Sequence, residues 1–111
     1  MLAADLSSCA VLVTGGASGI GLGTARLFAR MGANVAINDV AEGALDKAVA
    51  EIGDGGGRAI AVPGSVGDPE AADAIVKEAA ARLGGLTYVV NNAGISRTDT
   101  PIPPGDMAAV G

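Results

Sequence analysis

Thr14-Gly15-Gly16-Ala17-Ser18-Gly19-Ile20-Gly21 is the stretch on which the reading of this chain turns. Before it runs Cys9-Ala10-Val11-Leu12-Val13, a short apolar segment of the kind that forms a buried strand. After it, Leu27, Phe28 and Met31 recur at helical spacing. The glycines therefore sit on a turn from strand into helix, the context in which a glycine-rich loop binds a dinucleotide. Gly15 lacks a Cβ and can take the backbone conformation that a tight exit from the strand needs. Gly19 leaves room for a pyrophosphate to approach the main chain, and Gly21 allows the helix to pack close to the sheet. The N–H groups of the helix's first turn face the phosphates, and the helix dipole favours their charge. The spacing is Gly-x-x-x-Gly-x-Gly rather than the commoner Gly-x-Gly-x-x-Gly. By itself such a loop also fits a flexible turn.

The rest of the chain alternates strand and helix. Gly32 stands where a helix C-terminus favours glycine. A second strand, Asn34-Val35-Ala36-Ile37-Asn38, ends at Asp39. A second helix is expected from about Glu42 to Ile52, with Leu45, Ala48, Val49 and Ile52 on one face. Arg58-Ala59-Ile60-Ala61-Val62 is a third strand, stopped by Pro63-Gly64. Asp68 is a good N-cap with Pro69 at the first helical position, so a third helix follows, with Ile75, Val76, Ala79 and Leu83 as its apolar face. Leu86-Thr87-Tyr88-Val89-Val90 is the fourth strand and runs into Asn91-Asn92-Ala93-Gly94. This β-α-β-α-β-α-β pattern implies an α/β fold of Rossmann type, a doubly wound parallel sheet with strand order 3-2-1-4. Three features then meet beyond the strands' C-terminal ends: the Gly15–Gly21 loop, Asp39 and Asn91–Gly94.

Composition narrows the partners. At 111 residues the chain forms at most one domain, and with 50% hydrophobic and 17% charged residues it is globular rather than disordered. A net charge of −5 without a basic cluster argues against nucleic acid and anionic membrane. The lack of His and the single Cys argue against a zinc site or a His-based triad, and no metal is expected. Cys9 has no intrachain partner and reads as a small core residue, which fits a reducing compartment. No apolar run reaches membrane-spanning length, and Met1–Asp5 lacks the positive start of a signal peptide, so a cytoplasmic location is expected.

Asp39 bears on the choice of cofactor. A carboxylate at the end of the second strand accepts hydrogen bonds from the adenosine ribose diol and repels a 2′-phosphate. Ser18 and Val40, which could carry a base for that phosphate, are neutral. NAD is therefore expected over NADP. An ordinary solvated acid at a strand end is the alternative.

Thr14-Gly15-x-x-x-Gly19-x-Gly21 together with Asn91-Asn92-Ala93-Gly94 resembles the short-chain dehydrogenase/reductase family, from about Ser8 to Ile95. The resemblance implies an NAD-dependent oxidoreductase that moves hydride between nicotinamide and an alcohol or carbonyl substrate. It implies that Gly15, Ser18, Gly19, Ile20 and Gly21 carry the cofactor pyrophosphate. It implies that Asn91, Asn92 and Gly94 steady the sheet and line the ribose, and that Asp39 selects NAD. The family's Asp-Val pair against adenine is Ser65-Val66 here, so a hydroxyl replaces a carboxylate. A homo-oligomer is implied for the full-length form. A methyltransferase also sets a glycine loop and an acid around adenosine, but the Asn-Asn-Ala-Gly motif and the longer glycine spacing argue against it.

The family's catalytic Ser, Tyr and Lys come from a fifth strand and the helix after it. In this chain Tyr88 is followed four positions on by Asn92, not Lys, and Ser96 is too early to serve. Tyr88 is expected to be a packing residue, and no catalytic residue is assigned. The chain is thus expected to be the cofactor-binding part of the domain, residues 1–111, with the sheet truncated after the fourth strand. The alternative is a non-catalytic nucleotide-binding fragment or interaction module. The tail from Thr98 to Pro104 is expected to be a loop. The fourth strand would then be an open apolar edge and a template for self-association.

Overall fold

The computed structural model describes the backbone of residues 6–91 and 94–102 and the side chains of residues 6–91. The expected elements form in the expected order: β1 (Ala10–Thr14), α1 (Gly19–Arg30), β2 (Asn34–Asp39), α2 (Glu42–Asp54), β3 (Arg58–Pro63), α3 (Pro69–Leu83) and β4 (Leu86–Asn91). A further strand, β5 (Gly94–Ile102), follows. The sheet order is β3-β2-β1-β4-β5, with the first four strands parallel.

Alternation along the strands sorts the core into two layers. Val11 and Val13 of β1, with Val35 and Ile37 of β2, point to one face and pack on Ala25 and Ala29 of α1 and Leu45, Ala48 and Ile52 of α2. Ala10 and Leu12, with Ala36, point to the other and pack on Ile75, Ala79 and Ala80 of α3. The central strands are covered on both faces, which is why they read as continuous apolar runs. Leu12 and Ile37 are fully buried, and each such side chain contributes about 1.5–3 kcal/mol by leaving water. Tyr88 is a packing residue, as its sequence context suggested. It is half-buried, with its ring centroid 6.1 Å from that of Phe28.

The third helix begins as its sequence prescribes. Asp68 is extended, and its Oδ1 accepts from Ala71 N at 2.8 Å. Gly84 closes the helix at φ 78°. Asp68→Ala should lower stability by about 1 kcal/mol, the usual worth of an N-cap. A urea titration that leaves the midpoint unchanged would show the cap to be redundant.

The edge of β4 is the point of correction. The expected loop through Thr98–Pro104 is instead strand as far as Ile102 and pairs antiparallel with β4, Val89 opposite Ser96 and Val90 opposite Ile95. The backbone groups expected to be open on β4 are taken by β5. Pro101 did not prevent this because it falls in the break of register between the Tyr88–Arg97 and Leu86–Ile102 pairs of an edge strand. Val89 is also buried, under α3.

Candidate functional site

The crevice lies beyond the C-terminal ends of β1, β2 and β4. β1 leaves the sheet at Thr14, whose hydroxyl donates to Val90 O across to β4 at 3.4 Å. Gly15 turns the chain at φ 62°, and Gly19 opens α1 at φ 57°. Both values fall in the left-handed region that side chains disfavour. The extended Ser18 precedes the helix, and its hydroxyl makes no capping bond. The first turn of α1 holds no acidic residue. The intrahelical ladder begins with Leu22 N donating to Ser18 O. The amides of Gly19, Ile20 and Gly21 precede it and have no acceptor inside the helix. That is the arrangement a phosphate needs.

The glycines divide the work differently from the sequence expectation. A Cβ on Gly21 would lie 2.1 Å from Gly15 O. The close approach is thus between the first turn of α1 and the strand exit itself, rather than between helix and sheet. A Cβ on Gly19 would meet nothing within 4 Å, so within this chain Gly19 is set by its backbone angle. Gly16, not singled out from sequence, is sterically fixed as well: a Cβ there would lie 2.6 Å from Ile37 Cγ2.

Asp39 is built into the loop. Its Oδ2 accepts from Ala17 N and its Oδ1 from Ala41 N, both at 3.1 Å. Each bond uses one acceptor position of a carboxylate that has about four. Both oxygens can therefore still accept from a ribose diol. The residue beside it was missed: Asn38 is 1% exposed, and its Nδ2 donates to Val62 O at 2.8 Å and to Gly64 O at 3.0 Å. An amide directly after the apolar run Val35-Ala36-Ile37 was the available signal.

Ser65 and Val66 follow Gly64 on the exposed connection to α3. Ser65 Oγ accepts from Gly67 N at 3.1 Å and keeps its O–H for donation. Val66 is 46% and Ile20 88% exposed, apolar surface at the crevice mouth. Asn91 ends β4, Gly94 opens β5, and Asn92 lies outside the described residues. Gly15–Gly21, Asp39 and Ser65–Val66 are thus brought to one end of the sheet. A groove of about 430 Å³ extends from Ala17, Ser18 and Gly19 between α1 and α2, where Lys47 and Arg26 line it. Arg26 is paired with Glu51. Lys47 is a cation that inspection of Ser18 and Val40 alone did not find.

The family described as short chain dehydrogenase matches residues 9–107. The chain belongs to this family. A cis-4-hydroxycyclohexanecarboxylate dehydrogenase from Sinomonas cyclohexanicum is 49% identical over 98 residues, 88% of this chain and 39% of the relative. A hydroxyacyl-CoA dehydrogenase from Mycobacterium tuberculosis is 48% identical over 99 residues, 84% of this chain and 31% of the relative. Among solved structures, a hydroxysteroid dehydrogenase from Escherichia coli superposes with a TM-score of 0.76 at 33% identity, over 81% of this chain and 37% of that one. A dehydrogenase/reductase from Sinorhizobium meliloti gives the same TM-score at 38% identity, over 79% and 35%. This short-chain dehydrogenase family member spans between about a third and two-fifths of the length of these proteins.

Proposed function

We propose that this chain is the cofactor-binding part of an NAD-dependent oxidoreductase acting on an alcohol or carbonyl compound. The observation that carries the proposal is the fixed position of Asp39. Its carboxylate is hydrogen-bonded to the glycine loop through Ala17 N and presents its remaining acceptor positions where a ribose attached to a loop-bound pyrophosphate would lie. The loop fits that pyrophosphate: two positive-φ glycines, the amides of Gly19, Ile20 and Gly21, an uncapped Ser18 hydroxyl and no acid in the first helical turn. Ser65 and Val66 would meet the adenine. Asn91, Asn92 and Gly94 would line the ribose from the β4 side. Nicotinamide, when bound, supplies the hydride acceptor or donor. The chain's own residues bind and orient the dinucleotide and discriminate against a 2′-phosphate by charge. The two relatives named for hydroxylated substrates support an alcohol or carbonyl as the reacting group. Cytoplasmic residence and homo-oligomeric assembly go with this proposal, supported by the lone Cys9 and by the family.

Calorimetric titration with NAD and NADP tests it. The unmodified chain should bind NAD more tightly. Asp39→Asn keeps the shape and removes the charge. A charge-assisted hydrogen bond is worth about 1.5–3 kcal/mol, so NAD should bind roughly 10- to 100-fold more weakly, with a smaller loss for NADP. If NADP is preferred, and Lys47→Ala abolishes the preference, the groove lysine and not Asp39 governs the choice and the NAD assignment fails.

A further inference from the structure

We propose that Asn38 is a positioning residue, whose side-chain amide sets the adenine end of the cofactor site. The inference rests on the cofactor reading above and assigns a role to a residue that reading does not use. β3 is the outermost strand on its side of the sheet, and it ends at Pro63, which has no N–H to donate. The chain then turns through Gly64, at φ 140°, into Ser65 and Val66. The last parallel pair is Asp39 with Pro63. Beyond it the connection is held to β2 by Gly64 N donating to Asp39 O at 3.1 Å and by the two N–H groups of Asn38. These reach Val62 O and Gly64 O, one on each side of Pro63.

Only an amide does this here. Two donors in one plane bridge two carbonyls, whereas a Ser or Thr hydroxyl has one donor and a carboxylate none. Asn38 also accepts from Gly16 N at 2.9 Å through its main-chain oxygen. Its backbone thus holds the phosphate loop while its side chain holds the adenine loop. Any residue could make the first contact. The second is specific to the side chain, so its removal should affect adenine and leave phosphate binding intact.

The test compares ADP with inorganic tripolyphosphate, which carries phosphates and no adenine, on the whole chain. In Asn38→Val, ADP should bind about tenfold more weakly while tripolyphosphate changes by less than about twofold. Val66→Gly should weaken ADP in the parent, and the two substitutions together should lose less than their sum, because both act through one loop. Should Asn38→Val not fold, Asn38→Ser retains one donor and should show the same selectivity in reduced form. In the parent, nuclear magnetic resonance should show the Asn38 side-chain amide and Gly64 N–H shifting together on ADP addition. Equal losses for both ligands, strict additivity with Val66→Gly, or an Asn38 amide indifferent to ADP would overturn the proposal while leaving the cofactor reading standing. A parent chain that binds neither ADP nor NAD would overturn both.

Discussion

Gly21→Ala should collapse the glycine loop, whereas Gly23→Ala, two residues further along the same helix, should strengthen the fold. The contrast follows from what each new Cβ meets. At Gly21 it lies 2.1 Å from Gly15 O and 3.0 Å from Gly16 Cα. These are backbone atoms that no rotamer change can clear. Either the first turn of α1 lifts away with the amides proposed to hold phosphate, or the exit from β1 moves with Gly15. Overpacking of this kind costs about 1–3 kcal/mol, occasionally more, and the need to shift main chain puts it at the upper end. For a domain of this size, about 3 kcal/mol lowers Tm by roughly 10–20 °C. At Gly23 the added Cβ meets nothing within 4 Å, and alanine is favoured over glycine in a helix interior by about 0.8–1 kcal/mol. Thermal unfolding of the two variants, with NAD titration, checks the pair. Similar Tm values for both, or undiminished NAD affinity in Gly21→Ala, would mean that the loop has slack the geometry does not show.

The fold was legible because local signals agreed with one another. Apolar runs of strand length alternate with helical periodicity, and the turn residues fall between them. Asp68-Pro69 capped α3 as its chemistry required, and the right-handed crossover rule left little freedom in ordering β3, β2, β1 and β4. Gly15, Gly19 and Asp39 stood out by their spacing, and the structure gives each a local reason: positive φ at the two glycines and two main-chain hydrogen bonds at Asp39. Hidden in the sequence were residues whose reason lies in a contact with a distant segment. Asn38 looked like one polar position in a strand, and only the neighbouring Pro63 and Gly64 reveal why an amide stands there. Gly16 carries no signal of its own in the sequence, yet the Ile37 side chain leaves no room there for a Cβ. β5 was missed for a different reason. Its Pro and polar content signals a loop, and pairing with β4 is decided by a long-range vacancy in the sheet that no local propensity records.

Purified as it stands, the 111-residue chain should bind NAD and yet transfer no hydride at a measurable rate. Tyr88 is the chain's one tyrosine, and its ring packs on Phe28. Phe28 lies roughly 13 Å along α1 from Gly19, at about 1.5 Å per residue. That places the phenol towards the opposite end of the sheet from the crevice. No lysine follows it at the fourth position, where Asn92 stands. A positioned general acid contributes about 10²- to 10⁴-fold to such a reaction, and fixing the substrate beside the cofactor contributes more. Tyr88, packed on Phe28 and without a lysine four positions on, supplies neither contribution. The assay is the absorbance of NADH, followed with a panel of secondary alcohols and ketones and with the cofactor in excess. A flat trace alongside calorimetric NAD binding is the expected result. Turnover that scales with protein, persists through further purification and disappears in Gly19→Trp would place the chemistry in this chain after all, on residues other than a Tyr-x-x-x-Lys pair.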